Sequence, residues 1–212
     1  MTGARATVLL AAWGGLLMTA CAPRYAIKGE VSGAEQDGRQ AIVDYAKTLL
    51  NVSDLRGIDR NFKNDCSGFV NGVYAVKGRK IAYTKVRKDR SLSESLYLTL
   101  EDKNLVFKDR MPGIADAVFF RNTYETAFSG ITHVGLVEKV GGDGTVTILH
   151  YASGRVARIV MNLRHPGERS DGEGNVINDY VRKDGGGMPR RDYLAGNLFH
   201  SYGDLYAYTR PH

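Results

Sequence analysis

The chain has 212 residues and a formal net charge of +6 with its histidines neutral. A basic excess of this size favours polyanionic partners modestly, through long-range attraction. Four basic residues cluster at Lys85, Arg87, Lys88 and Arg90, but without interleaved aromatic residues or a nucleic-acid-binding signature. The sequence therefore predicts no nucleic-acid partner, and a solvated surface explains the cluster.

Residues 1–20 have the pattern of an export signal, in which Arg5 precedes an apolar run over residues 6–17. The run is shorter than the roughly 20 apolar residues that a membrane-spanning helix needs. The segment from Leu17 to Cys21 resembles the lipobox of bacterial lipoproteins, in which signal peptidase cuts before a cysteine that carries lipid. This resemblance implies a lipid on Cys21 and a membrane-anchored location in the cell envelope, on the periplasmic side and compatible with the outer membrane.

Removal of the signal would leave roughly 190 residues, enough for a single domain with its own core. The charge would then be about +5, because Arg5 is the one charged residue that is lost. We expect a tether over residues 21–38, where Pro, Gly, Ser and charged residues occur without apolar periodicity. The folded domain is predicted to span residues 39–212.

Three helices are predicted in the first part of this domain. The first covers residues 39–50, where apolar residues recur at the helical spacing i, i+3, i+4 and i+7. The second begins at Cys66, with Asn64 or Asp65 as its cap, and ends before a glycine. The third spans Leu92 to Leu100.

The apolar pattern then changes to that of β-strands. The predicted strands are Ala117–Arg121, His133–Val140, Thr145–Tyr151, Arg155–Met161 and a closing strand at Leu205–Arg210. Helices followed by strands predict an α+β domain with an antiparallel sheet. Residues 162–190 stand apart because they are rich in Gly and charged residues. A loop of this length is either functional, such as a flap beside an active site, or disordered.

Cys66 is the only cysteine besides Cys21. An unpaired thiol in an oxidising compartment is a hazard unless it is buried, paired between chains or used. At a helix N-terminus the helix dipole favours the thiolate, and backbone N–H groups are available to bind an oxyanion. Cys66 is therefore a candidate nucleophile. The alternative is a buried structural thiol, since cysteine is among the most buried residue types.

His133 opens one predicted strand and His150 closes the next, with a hairpin turn at Gly141–Gly144 between them. A loop of two or four residues would place both histidines on the same face of the sheet, directly or diagonally opposed. A loop with an odd number of residues would break this arrangement. Same-face placement predicts that one ring acts as a base and that the other orients it.

A zinc site is the rival use of cysteine and histidine. It needs three or four ligands at recognisable spacing, and the sequence has no short Cys-x-x-Cys or His-x-x-x-His pair. We therefore expect no metal and no other cofactor. His165, His200 and His212 have no geometry that points to a functional role, and we expect them to be structural or surface residues.

Several motifs resemble those of the NlpC-type bacterial cell-wall cysteine peptidases, which are papain-like. Residues 65–70, Asp-Cys-Ser-Gly-Phe-Val, resemble the nucleophile motif, and residues 112–120 resemble the family's Pro-Gly-Asp strand with two extra residues. His133 begins a His-Val-Gly-Leu segment like the family's His-Val-Gly-Ile, and His150 occupies the third, polar position. The likeness covers roughly residues 39–160. It departs at residues 55–60, where the family commonly has a tyrosine and paired glycines.

The resemblance implies a papain-like α+β fold, in which N-terminal helices pack on an antiparallel sheet and one helix carries the nucleophile at its start. It implies hydrolysis of peptide bonds in peptidoglycan stem peptides, often between D-glutamate and diaminopimelate. By the same resemblance Cys66 attacks, His133 is the base and His150 orients His133. Two alternatives stay open: a cysteine-histidine amidase that cuts between glycan and stem peptide, and a catalytically inert lipoprotein that binds cell-wall peptide. Permuted papain-like lipid acyltransferases fit less well, because their histidine precedes their cysteine.

Overall fold

The computed structural model describes residues 32–86, 89–124, 130–182 and 189–210. These residues form an α+β fold with five α-helices and one six-stranded antiparallel sheet. The helices are α1 Gly33–Thr48, α2 Cys66–Val76, α3 Leu92–Glu101, α4 Ala195–Leu198 and α5 Leu205–Tyr208, with a 3₁₀ turn at Arg190–Tyr193. None of these described helices is long and apolar enough to cross a membrane. The segment around Cys21 and His212 lie outside the described residues.

The strands follow the order β1-β6-β2-β3-β4-β5 across the sheet. Their bounds are β1 Val106–Phe107, β2 Ala117–Arg121, β3 Ile131–Val140, β4 Thr145–Ala152, β5 Arg155–Asn162 and β6 Phe199–Gly203. The predicted α+β class is confirmed, and so are the first four predicted strands, now β2 to β5, whose boundaries each agree within two residues. The short edge strand β1 and the interior strand β6 were not predicted.

Helices α1, α2 and α3 pack on one face of the sheet. Side chains from these helices and from β2, β3 and β4 form one buried cluster, which includes Ile42, Phe69, Leu96, Phe119 and Leu136. A second cluster lies on the opposite face, where α4 and the chain after β5 cover residues such as Val118, Phe120 and Ile148. The sheet is therefore buried on both faces, and the long segment after β5 supplies part of the second layer.

The first helix begins earlier than predicted. Residues 33–38 belong to α1 and not to the expected tether, because Ser32 caps the helix by accepting a hydrogen bond from the backbone N–H of Glu35. These first residues are polar and largely exposed, so they carry none of the apolar periodicity on which the predicted start was based.

The predicted closing strand at Leu205–Arg210 is wrong. Residues Leu205–Tyr208 form α5, in which the Asp204 side chain accepts the backbone N–H of Ala207 and caps the helix. The strand that closes the sheet lies just upstream as β6, where it pairs with both β1 and β2. The apolar residues of this short segment fit the spacing of a strand as well as that of a helix. The hydrogen bond from Ala207 to the Asp204 cap stabilises the helix.

Arg39 forms a buried ionic cluster that ties α1 to the end of the chain. Its side chain is 1% exposed and donates to Asp116 at 2.7 Å, to Asp204 at 2.6 Å and to Glu35 at 3.0 Å. Burial raises the pKa of Asp116 to about 6, although Arg39 opposes that shift. The cluster therefore depends on the arginine, because its guanidinium donates to both buried carboxylates.

We expect Arg39→Met to lower the free energy of unfolding by ~3–5 kcal/mol, since it removes the buried cation that pairs with Asp116 and Asp204. Arg210→Met is the matched control, because Arg210 also pairs with Glu35 but is 58% exposed. Its expected cost is ~0–1 kcal/mol. Urea denaturation of both variants measures the difference. Equal midpoints would show that the buried cluster contributes no more than a surface ion pair.

Candidate active site

Cys66 is the first residue of α2, as predicted, and Asp65 is the cap. The Asp65 carboxylate accepts the backbone N–H of Gly68 at 2.7 Å. The alternative cap, Asn64, instead accepts the backbone N–H of Leu55 at 2.8 Å and so shapes the loop before the helix. Gly68 is required by close packing, because a Cβ there would lie 2.6 Å from the carbonyl oxygen of Lys63.

Cys66 and His133 line the same cleft, which has a volume of about 270 Å³. Its walls are formed by Asn64, Asp65, Cys66, Thr123, Tyr124, His133, Tyr151, Ala152, Ser153 and Val181. The ladder between β3 and β4 stops at Leu136 and Leu149, although both strands continue beyond that pair toward the cleft. The cleft thus lies at the unpaired end of these two strands, where the start of α2 reaches the sheet.

The turn between β3 and β4 lies at Gly141–Gly144, as predicted, and the two histidines share a face. Val140 pairs with Val146, so an odd number of residues separates the last paired positions. That loop alone would send the two rings to opposite faces. A register shift between Val137 and Lys139 compensates, because the bulged strand gains one residue. His133 and His150 therefore lie diagonally opposed.

The two histidine rings are in direct contact. Nε2 of His133 lies 2.8 Å from Nδ1 of His150, and the ring planes meet at 85°. When Nε2 of His133 is the donor in this contact, Nδ1 of His133 is the ring nitrogen that can accept a proton. Gly135 makes room for the pair, since a Cβ there would lie 2.6 Å from Cγ2 of Ile148 and 3.3 Å from Cβ of His150.

Both histidines are neutral at pH 7. Burial lowers the pKa of His133 to about 4. Burial, together with the charge that His133 would carry, lowers the pKa of His150 to about 3. A neutral His133 whose Nε2–H is donated to His150 keeps a lone pair on Nδ1, which is the form that a general base needs.

The helix start was expected to favour the thiolate of Cys66, but it does not have the largest effect on the pKa of this thiol. Burial raises the pKa of Cys66 above its ordinary value of 9.0. The Ser93 hydroxyl and the backbone of Val134 and Ser67 lower this pKa by hydrogen bonding, but desolvation of the thiolate is the larger effect. The resting cleft therefore holds a neutral thiol at Cys66 and a neutral imidazole at His133.

No protein-family model matches this sequence, and no curated protein matches it significantly either.

Several wall residues of the cleft were not predicted as site residues, and Tyr151, Tyr124 and Val181 are three of them. Tyr151 is fixed by its hydroxyl, which donates to the carbonyl of Ser53 at 2.7 Å. Tyr124 is about half exposed at the rim. Val181 comes from the long segment after β5, in agreement with the idea of a flap beside the site. Tyr124 and Val181 lie in separate parts of the chain where no local motif marks them, whereas Tyr151 directly follows the predicted site residue His150.

The histidines His165 and His200 are not among the residues that line this cleft. His165 is exposed beside Glu168, and His200 is half-buried with its ring 5.0 Å from that of Tyr97. Within the described ranges, no three His, Cys, Asp or Glu side chains are grouped so that they could hold a metal ion. A larger groove of about 420 Å³ runs along α3, but its lining residues include neither cysteine nor histidine.

The state of the thiol leads to a test by alkylation. Because burial raises the pKa of Cys66, we expect iodoacetamide to modify Cys66 slowly at pH 7 and progressively faster above pH 9.0, as the thiolate forms. Peptide mass mapping of Cys66 against pH measures the profile. The same chain unfolded in urea is the control and should react at lower pH. A folded-state profile with its midpoint near pH 6 would contradict the neutral pair.

Proposed function

We propose that this protein is a lipid-anchored cysteine hydrolase with a papain-like arrangement, which cleaves peptide bonds in peptidoglycan stem peptides. The observation that carries the proposal is that Cys66, from a helix start, lines one cleft with His133, whose ring is in turn held by His150. A nucleophile, a base and an orienting partner are what acyl transfer requires. The order of the cell-wall peptidase motifs along the chain supports the choice of substrate.

In the first chemical step, Nδ1 of His133 takes the proton of the Cys66 thiol as the sulfur bonds to the carbonyl carbon of the substrate. The carbonyl oxygen becomes an oxyanion. The backbone N–H of Cys66 lies in the first turn of α2, outside the i to i−4 ladder of the helix, and it is the candidate donor to that oxyanion. The imidazolium that forms on His133 is stabilised by its hydrogen bond to His150.

In the second step, the oxyanion collapses and the carbon–nitrogen bond breaks. The leaving amine takes the proton from His133, and the acyl group stays on Cys66 as a thioester. Water then attacks the thioester while His133 accepts a proton from it. The sulfur leaves as a thiolate and recovers its proton from His133. Because His133 exchanges protons in both halves of the reaction, it must start neutral, as its lowered pKa allows.

Mass spectrometry of digested peptidoglycan tests the proposal. A peptidase releases fragments cut within the stem peptide. A cysteine-histidine amidase releases the whole stem peptide from the glycan. That result would show that the proposed scissile bond is wrong, while the proposed catalytic residues would stand. Binding to peptidoglycan without any new fragment would favour the inert lipoprotein and overturn the proposed hydrolysis.

The membrane anchor is a separate prediction. We expect Cys21→Ser to abolish lipidation and to move the protein from the membrane pellet to the soluble fraction, because the sulfur is the site of lipid attachment. Folding should be unaffected, since the described core begins with α1. Fractionation followed by immunoblotting measures the shift, with Cys66→Ser as the control that keeps the anchor. Unchanged pelleting of Cys21→Ser would refute lipid attachment there.

A further inference from the structure

Ser93 is a buried serine whose hydroxyl contacts the nucleophile. Its Oγ lies 3.3 Å from Sγ of Cys66, and the residue is 1% exposed. The neighbouring serines of α3 bond to backbone oxygens instead. Ser91 Oγ donates to the carbonyl of Ile131 at 2.7 Å, and Ser95 Oγ donates to the carbonyl of Ser91 at 3.3 Å. The thiol is thus the partner of Ser93.

A buried hydroxyl in this position destabilises the fold unless it makes a hydrogen bond. Alanine would favour the helix more and would bury no polar group. A neutral thiol repays little of that cost, since sulfur is a weak hydrogen-bonding group. A thiolate is a much better acceptor, because hydrogen bonds to charged groups are roughly twice as strong. The arrangement therefore stabilises the sulfur most in the charged form that exists during reaction.

The first turn of α3 also connects the two halves of the site. Ser91 fixes this turn to Ile131 at the start of β3, the strand that carries His133. Ser93, two residues later, contacts the sulfur on α2. The first turn of α3 therefore contacts both the sulfur of Cys66 and the strand that carries His133.

Resting on the proposed function, we propose that Ser93 is a positioning residue for the reaction, which holds the Cys66 sulfur beside the strand of His133 and donates a hydrogen bond to the thiolate. It acts when His133 removes the thiol proton and again when the sulfur leaves the thioester. Ser93 itself forms and breaks no covalent bond.

The pH profile of Cys66 alkylation tests this role in the full chain, with iodoacetamide as the probe and peptide mass mapping at Cys66. We expect Ser93→Ala to slow alkylation at pH 8 by about tenfold and to move the profile to higher pH. The titratable groups near the sulfur are Asp65, Tyr83, Tyr124 and His133, and none of them is changed in this variant.

Two further variants separate positioning from packing. Ser95→Ala removes a buried hydroxyl from the same helix but not from the thiol, so its profile should match the wild type. Ser93→Thr keeps a hydroxyl and should recover most of the alkylation rate. A wild-type profile for Ser93→Ala, or an equal shift for Ser95→Ala, would overturn the inference even if peptide hydrolysis is found. A shifted Ser93→Ala profile in a protein without turnover would uphold the thiolate contact and refute the hydrolase.

Discussion

Cys66→Ala should abolish hydrolysis of peptidoglycan peptides while the protein stays folded. In the proposed mechanism the sulfur forms the acyl bond, and no other described group of the cleft can replace it there. The fold should tolerate the change, because Cys66 is only partly buried in the first turn of α2 and alanine is a good helix former. Release of peptide fragments measures the loss, and circular dichroism measures the folding.

Cys66→Ser is the matched variant for this prediction. It keeps a hydrogen-bonding atom beside Ser93 but replaces the thiol with a hydroxyl, which ionises far less readily. We expect it to be as inactive as Cys66→Ala and at least as stable. Turnover near the wild-type rate in Cys66→Ala would assign Cys66 to a structural role.

His133→Ala should lower the rate by ~10²–10⁴, the usual contribution of a general base. The acid limb of the wild-type rate should lie near pH 4, since burial lowers the pKa of His133 to about that value and protonation removes the base. The variant should lose this limb. We also expect slower thiol labelling, because the imidazole no longer accepts the proton of Cys66. An unchanged rate in His133→Ala would exclude this histidine as the base.

His150 should respond to replacement according to which atom the new residue presents. His150 contacts His133 through its Nδ1, which is bonded to Cγ. The Oδ1 of an asparagine is also bonded to Cγ. His150→Asn should therefore keep an acceptor for Nε2–H of His133, whereas the longer His150→Gln places its amide one carbon further out. We expect the order of activity to be wild type, His150→Asn, His150→Gln, then His150→Ala. Equal rates for all three variants would mean that His150 does not orient the base.

The sequence predicted the elements whose patterns are local and strongly periodic. The start of α2 at Cys66 follows from a capping residue beside an apolar helical stripe. The strand β2 at Ala117–Arg121 follows from a short run of apolar residues. The shared face of His133 and His150 was predicted correctly, although for an incomplete reason. The pairing of Val140 with Val146 would by itself separate the two rings, and a bulge that no residue pattern predicts restores the register.

The remaining features depend on contacts between distant parts of the chain. Ser93 approaches Cys66 only after α3 packs against α2, so its role is invisible in the residues around it. The buried pairing of Arg39 with Asp204 joins opposite ends of the described fold. The pKa of the thiol was expected to be lowered by the helix start, whereas tertiary burial raises it. Desolvation depends on the whole packed structure and cannot be derived from the position of a cysteine in a helix.

Titration of Cys66 against turnover is the most direct test of the proposed catalysis. Samples alkylated to increasing extents are mapped for modification at Cys66 and assayed for release of peptidoglycan fragments. Turnover should fall in proportion to the fraction of Cys66 that is modified and should reach zero when modification is complete. Full turnover in a sample with completely modified Cys66 would contradict the role of this thiol as the nucleophile.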